Sequence, residues 1–356
     1  MVRISGHFLR ALAILMLAAS PALGEPAAKE LFGSKALPAN MKPQAVGFYS
    51  KGCIAGAMAL PVDGPDWQVM RLSRNRRWGH PDLLRVIEQL STKAKRDGWN
   101  GLMVGDMSQP RGGPMLTGHA SHQVGLDADI WFTPMPDQRL NYRDREDLSA
   151  ISVLKKNSFY VDDARWTQAH MKLLRDAASF REVERILVHP GVKKKLCDTV
   201  GGDRSWLAKI RPYYGHHYHF HLRIGCPAGS PNCKPQKPTG SADGCDKSLA
   251  WWFEEGLVPK KPKKPSKPVK PAKPRYLTLA NLPGTCRDIL NASDMDEKRA
   301  EFPINAAAFN APEIDIPAVD PMAILASKPI EASKASASAP TSSVAKVPVP
   351  TPRPRN

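Results

Sequence analysis

The sequence predicts an α+β domain built on a largely antiparallel sheet. Two stretches have apolar residues at helical spacing, and four short stretches read as strands. The two kinds do not alternate with the regular βαβ period of a parallel sheet. Two of the strands alternate polar with apolar residues, the pattern of a sheet with one face on a core.

The first helical stretch is "HPDLLRVIEQLSTKAKRDGW", with Leu83, Leu84, Ile87, Leu90 and Ala94 on one side and a stop at Asp97-Gly98. "GLMVGDM" follows as a short buried strand. In "LDADIWF" Asp127 and Asp129 share one face, and Leu126, Ala128 and Ile130 take the other. "WTQAHMKLLRDAASF" is the second amphipathic helix, "VERILVHP" a strand ended by proline, and "HYHFHLRI" another alternating strand. In this last strand His217, His219, His221 and Arg223 face one way, and Tyr218, Phe220 and Leu222 face the core. There is no internal repeat.

The ends of the chain read differently. Arg3 and Arg10, the apolar run Ala11 to Ala19 and the small residues Ala22-Leu23-Gly24 make residues 1–24 a secretory signal peptide. That run is too short to span a bilayer, and no later segment is long and apolar enough to do so. Residues 25–41 are an N-terminal extension, and 42–258 one globular domain long enough to bury a full core. The net charge of +17 is concentrated in the Lys/Pro-rich stretch 259–275, which has seven Lys and no acid. Proline at this density makes an extended linker. Its charge suits anionic envelope polymers; no aromatics are interleaved for base stacking, so nucleic acid is not an expected partner. Residues 276–291 hold the last cysteine, and 292–356 read as a disordered tail. In an oxidising compartment the six cysteines Cys53, Cys197, Cys226, Cys233, Cys245 and Cys286 imply three disulfides. Fifteen pairings are open. The turn-rich seven-residue spacing of Cys226 and Cys233 suits a bridge between those two.

Chemistry concentrates in two windows. "GHHYHFHLR" holds His216, His217, His219 and His221; "TGHASHQVGLDAD" holds His119, His122, Asp127 and Asp129. Imidazole and carboxylate together suit zinc, and a catalytic zinc keeps three protein ligands and a water whose pKa falls to about 7. A His-x6-Asp pair joined by one histidine of the distant strand supplies three ligands, and an unligated imidazole beside them can act as base or hold an oxyanion. Asp127 could instead cap a turn. His80, His170 and His189 read as ordinary satisfied polar residues.

"TGHASHQVGLDADIWF" and "HYHFHLRIGCP" resemble the penicillin-insensitive murein endopeptidase family, zinc peptidases of the lysostaphin, D-Ala-D-Ala peptidase and hedgehog superfamily. "RLSRNRRWGHPDLL", "LCDTVGGDRSWLAKIRPYY" and "CPAGSPNC" extend the similarity over roughly residues 37–286. The resemblance implies zinc ligands His122, Asp129 and His221, with His119 at or near the metal, His219 as base or oxyanion partner, and His216 as a second active-site imidazole. It implies disulfides Cys197–Cys245 and Cys53–Cys286, the latter tying 276–291 back to the domain. His217 has no counterpart. A second metal of some members would use positions that are here Asn157 and Tyr160, so one zinc per chain is expected. The implied reaction is hydrolysis of the D-Ala–meso-diaminopimelate cross-link of peptidoglycan in the periplasm. The alternatives are a D,D-carboxypeptidase or dipeptidase on the same site, for which Arg111 would anchor the free carboxylate, and a non-catalytic murein- or metal-binding protein.

Overall fold

A computed structural model describes residues 25–259 and 276–304; the expected signal peptide, most of the Lys/Pro stretch and everything beyond 304 lie outside the described residues. The chain enters through helix α1 (Ala28–Gly33) and the hairpin β1 (Gln44–Phe48) and β2 (Lys51–Ala55). Short strands β3 (Met58–Ala59), β4 (Asp63–Gly64), β5 (Trp67–Val69) and β6 (Trp78–Gly79) precede helix α2 (Pro81–Arg96). Strand β7 (Leu102–Val104), a long loop and β8 (Asp127–Trp131) come next, then α3 (Tyr142–Asp147) and α4 (Gln168–Ser179). Strand β9 (Val183–Val188), α5 (Pro190–Thr199), β10 (Ile210–Pro212) and β11 (His219–Ile224) complete the main sheet, and α6 (Lys247–Trp251), α7 (Thr285–Asn291) and α8 (Glu297–Ala300) follow.

The main sheet has seven strands in the order β10-β9-β11-β8-β7-β5-β4. Its pairs β9–β11, β11–β8, β8–β7 and β4–β5 are antiparallel; β10–β9 and β5–β7 are parallel and are joined by crossovers carrying α5 and α2. The architecture is therefore α+β and largely antiparallel, as the mixed element order predicts. Ala128 and Ile130 of β8 and Phe220 and Leu222 of β11 share one core with Leu84 and Ile87 of α2 and Leu173 and Leu174 of α4. The opposite face carries the polar set, and it too is buried, with Tyr49 covering its Arg223 end. Tyr49, at the hairpin turn, is 4.0 Å from the Arg223 guanidinium and donates its hydroxyl to the Ile224 carbonyl at 2.9 Å.

Among the described residues, the three histidines outside the windows all stand at helix starts. His80 and His189 precede Pro81 and Pro190, and their Nδ1 atoms accept the backbone N–H of Asp82 and Gly191. His170 closes a capping box with Thr167 in the first turn of α4.

The disulfides join Cys226 to Cys233, the pair that its spacing suits, and Cys53 to Cys286 and Cys197 to Cys245, the two that the resemblance implies. The Cys53–Cys286 bridge crosses 233 residues and brings α7 onto β2. The fold departs from expectation on both sides of this bridge. Ala28 and Phe32 are fully buried against α7, so the N-terminal extension belongs to the domain. The expected start of the tail at 292 is also too early. Met295, Ala300 and Phe302 are buried, Met295 N–H reaches the Pro38 carbonyl, and Phe302 N–H reaches that of Ala59. These few apolar residues are spaced too irregularly to read as an element, but each fills a gap in an existing layer.

Arg111 departs furthest. Its side chain is fully buried and donates to the carbonyls of Leu37, Ile289, Leu290 and Ala292 and to Asp294. It satisfies the carbonyl end of α7 and is not available to a substrate carboxylate.

Candidate metal centre

The register of one strand pair builds the site. In the antiparallel β8–β11 pair His221 lies opposite Asp129, and Arg223 opposite Asp127. Alternation sends all four side chains, with His219, to the polar face. The loop before β8 delivers His119 and His122 to the same place. His122 adopts a left-handed backbone with φ 69°, a conformation costly for a residue with a Cβ, and its N–H donates to Asp127 Oδ2 at 3.0 Å.

Asp129 is the centre of the cluster. Its Oδ1 lies 3.3 Å from His221 Nδ1, 3.4 Å from His122 Nε2 and 3.5 Å from His219 Nε2; its Oδ2 lies 3.5 Å from His119 Nδ1. His119, His122 and Asp129 each offer one donor atom within 4.8 Å of the others, and His221 joins through its contact with Asp129. Donors about 2.1 Å from a tetrahedral zinc ion stand roughly 3.4 Å apart, so the spacing fits such an ion.

The unpaired atoms fit it as well. Both ring nitrogens of His122, Oδ1 of Asp129 and Nδ1 of His219 are buried without a hydrogen-bond partner. Buried polar atoms are rarely left so, since each costs free energy. A cation amid them would satisfy the ligand atoms together.

A second layer of carboxylates backs two of the rings, His221 and His119, and neither His122 nor His219. His221 Nε2 is 2.8 Å from Asp127 Oδ1, and His119 Nε2 is 2.9 Å from Asp106 Oδ2. Asp127 is held by Arg223 at 2.6 Å, and Asp106 by Arg76 at 2.9 Å and Arg74 at 3.0 Å. A histidine whose far nitrogen meets a carboxylate presents the near one as metal ligands do. His219 has no such carboxylate on Nδ1.

The electrostatics follow. Burial alone would raise the Asp129 carboxyl, but His219, His122 and His119 outweigh it and hold it well below the usual range. Burial would likewise raise Asp127, and Arg223 and His221 reverse the shift. His122 is pushed down to about 4 by burial, against the pull of Asp129. Burial also lowers His219, and takes His216 to about 3 with help from the neighbouring His219 and His221. Both are neutral near pH 7. His216 Nδ1 is 2.9 Å from the Tyr214 carbonyl, so it carries the proton there and leaves Nε2 as an acceptor. The rings of His216 and His219 are 4.9 Å apart, and Tyr213 and Tyr218 beside them are exposed, so the cluster is approached from this side.

His119, His122, Asp129, His216, His219 and His221 thus come together, and His217 does not. The strand begins at His219, after the turn at Gly215 with φ 85°, so alternation does not extend back to His217, whose Nδ1 meets Ser152 Oγ at 2.9 Å. Tyr160 stacks on Phe253 at 5.2 Å, and Asn157 occupies a left-handed turn. The sequence reading missed Asp106, Arg74 and Arg76; it placed Asp127 in the cluster, with a turn cap as the alternative, and gave it no role beside the ligands. A lone acid in the apolar "GLMVGDM" run was the available signal.

A profile of the family described as "Penicillin-insensitive murein endopeptidase" matches residues 45–291. Proteins of that name are similar to this chain. The one from Haemophilus influenzae is 45% identical over 216 residues, covering 60% of this chain and 74% of the relative. Those of Yersinia enterocolitica and Pectobacterium atrosepticum are 43% and 42% identical over 212 residues, covering 60% of this chain and 77% and 75% of theirs.

Proposed function

This chain belongs to the penicillin-insensitive murein endopeptidase family, and on that premise we propose that it is a zinc-dependent endopeptidase hydrolysing the D-Ala–meso-diaminopimelate cross-link of peptidoglycan. The observation that carries the metal reading is the group of buried, unpartnered ligand atoms around Asp129. His119, His122, Asp129 and His221 would hold one zinc ion.

When bound, zinc supplies Lewis-acid polarisation of the scissile carbonyl and lowers the pKa of the attacking water. The protein supplies the proton chemistry. His219, neutral and buried beside Asp129, takes the water's proton as the new C–O bond forms. It returns that proton to the diaminopimelate amine as the C–N bond breaks. His216, also neutral, holds its Nε2 toward the same space and assists the transfer. No acyl-enzyme forms, which accounts for insensitivity to penicillin, an agent that acylates serine.

We place the reaction in the periplasm, after export by residues 1–24; all six cysteines are bridged, as suits an oxidising compartment. No described helix is long and apolar enough to cross a membrane. Contact of the Lys/Pro segment 259–275 with anionic envelope polymers is part of this reading. Burial of Arg111 removes the carboxylate anchor considered for a D,D-carboxypeptidase, and a neutral His219 beside Asp129, with Nδ1 unpaired, disfavours a non-catalytic binding role.

Digestion of purified cross-linked murein, with products identified by mass, tests the bond assignment. Dimers resolved into monomers with a new D-Ala carboxylate and a new diaminopimelate amine support it. Cleavage of diaminopimelate–diaminopimelate links instead would redirect it.

A further inference from the structure

Asp127 does more than back one ring. Its Oδ1 meets His221 Nε2 at 2.8 Å, and its Oδ2 accepts the backbone N–H of His122 at 3.0 Å. The first contact turns His221 so that Nδ1 faces Asp129 at 3.3 Å. The second holds the left-handed loop conformation, φ 69°, that brings the fully buried His122 ring to Asp129. The two expected ligands come from elements far apart in sequence, and a single carboxylate fixes both.

The carboxylate is itself fixed. Arg223, opposite Asp127 in the strand register, donates Nε to Oδ1 at 2.6 Å. The guanidinium is clamped between the Tyr49 ring at 4.0 Å and Gln236 Oε1 at 2.8 Å. Asp127 and Arg223 are both buried, so neither contact is shared with bulk solvent. The Asp106 side chain, by comparison, backs the ring of His119 alone; its main-chain carbonyl accepts the Asp129 N–H at 3.0 Å, a contact that no change of side chain removes.

We propose that Asp127, clamped by Arg223, is the main positioning residue of the metal centre, setting the His221 ring and the His122 backbone together. The proposal deepens the zinc reading and rests on it. An asparagine at 127 can accept at one side-chain atom but presents an NH2 at the other. It faces a donor at both contacts, so one of them is broken.

The test is zinc affinity of the full mature chain, measured by competition with a chromogenic chelator at neutral pH. Asp127→Asn is expected to weaken zinc binding by roughly 10- to 100-fold and to shift the visible absorption of the cobalt-substituted protein. Asp106→Asn is expected to weaken it less. An Asp127→Asn protein with unchanged affinity and cobalt spectrum, or an Asp106→Asn protein that loses as much or more, overturns the proposal. If Asp127→Asn does not fold, Arg223→Gln decides, because it leaves the carboxylate in place but unclamped: a loss of roughly 10-fold supports the proposal, and unchanged affinity overturns it. Failure of the parent protein to bind zinc at all would instead refute the metal reading.

Discussion

His219 and His221 are two residues apart on one strand and both lie within 3.5 Å of the Asp129 carboxylate, yet they differ on their far sides. His221 is backed by Asp127, and His219 Nδ1 by nothing. His221→Ala should therefore lose both zinc and activity. His219→Ala should keep its zinc and lose roughly 100- to 10,000-fold in rate, the usual contribution of a general base. Metal analysis of the two purified variants beside their turnover checks this, and equal loss of zinc would reverse the two roles. A histidine away from the centre contributes to acid stability. Burial between Trp99, Phe132 and Trp166 pushes His170 down to about 4, and its Nε2 proton goes to the Phe132 carbonyl at 3.1 Å. Its folded pKa is depressed, so its contribution is complete above the unfolded value of about 6.5 and is lost as pH falls toward about 4. This accounts for up to about 3 kcal/mol of acid destabilisation. His170→Gln should flatten urea stability against pH in that window; an unchanged slope counts against the assignment.

The β8 and β11 strands were legible in the sequence because each alternates, and alternation dictates which side chains share a face. Asp129 with His221, and Asp127 with Arg223, could be placed on polar faces from the pattern alone. Their register could not, since it is set by the loops and layers around the pair. Alternation also overreached at His217, where a turn and not a strand directs the side chain. Arg111 shows the other limit. Nothing local marks an arginine in a glycine-rich loop as the partner of a helix end 178 residues away at Ile289. Removing it strands the carbonyls of Leu37, Ile289, Leu290 and Ala292 in a buried layer. Arg111→Met should cost roughly 3 kcal/mol or more in chemical denaturation while leaving KM for murein and zinc content unchanged in the folded protein. A selective rise in KM would restore the substrate-anchor role that its burial argues against.

At the scale of the whole molecule, one sheet separates two kinds of burial. Its helical face is apolar and gives the fold its core; its other face is polar and holds six histidine and aspartate side chains close together. The returning segment 276–304, bridged through Cys286 and gripped by Arg111, braces the β1–β2 hairpin. Such a polar face is stable only if its charges are matched, and Asp106 and Asp127 are matched by arginines while the atoms around Asp129 are not. A metal ion bound there would complete the face and make it a peptidase. The most direct measurement is cleavage of purified disaccharide-peptide dimers, followed by mass, with the protein as isolated, stripped by a chelator, stripped and then resupplied with zinc, and treated with penicillin. Cleavage is expected as isolated and in penicillin, none after stripping, and recovery with about one zinc per chain. Full cleavage by a protein shown to be metal-free would contradict the role of the metal.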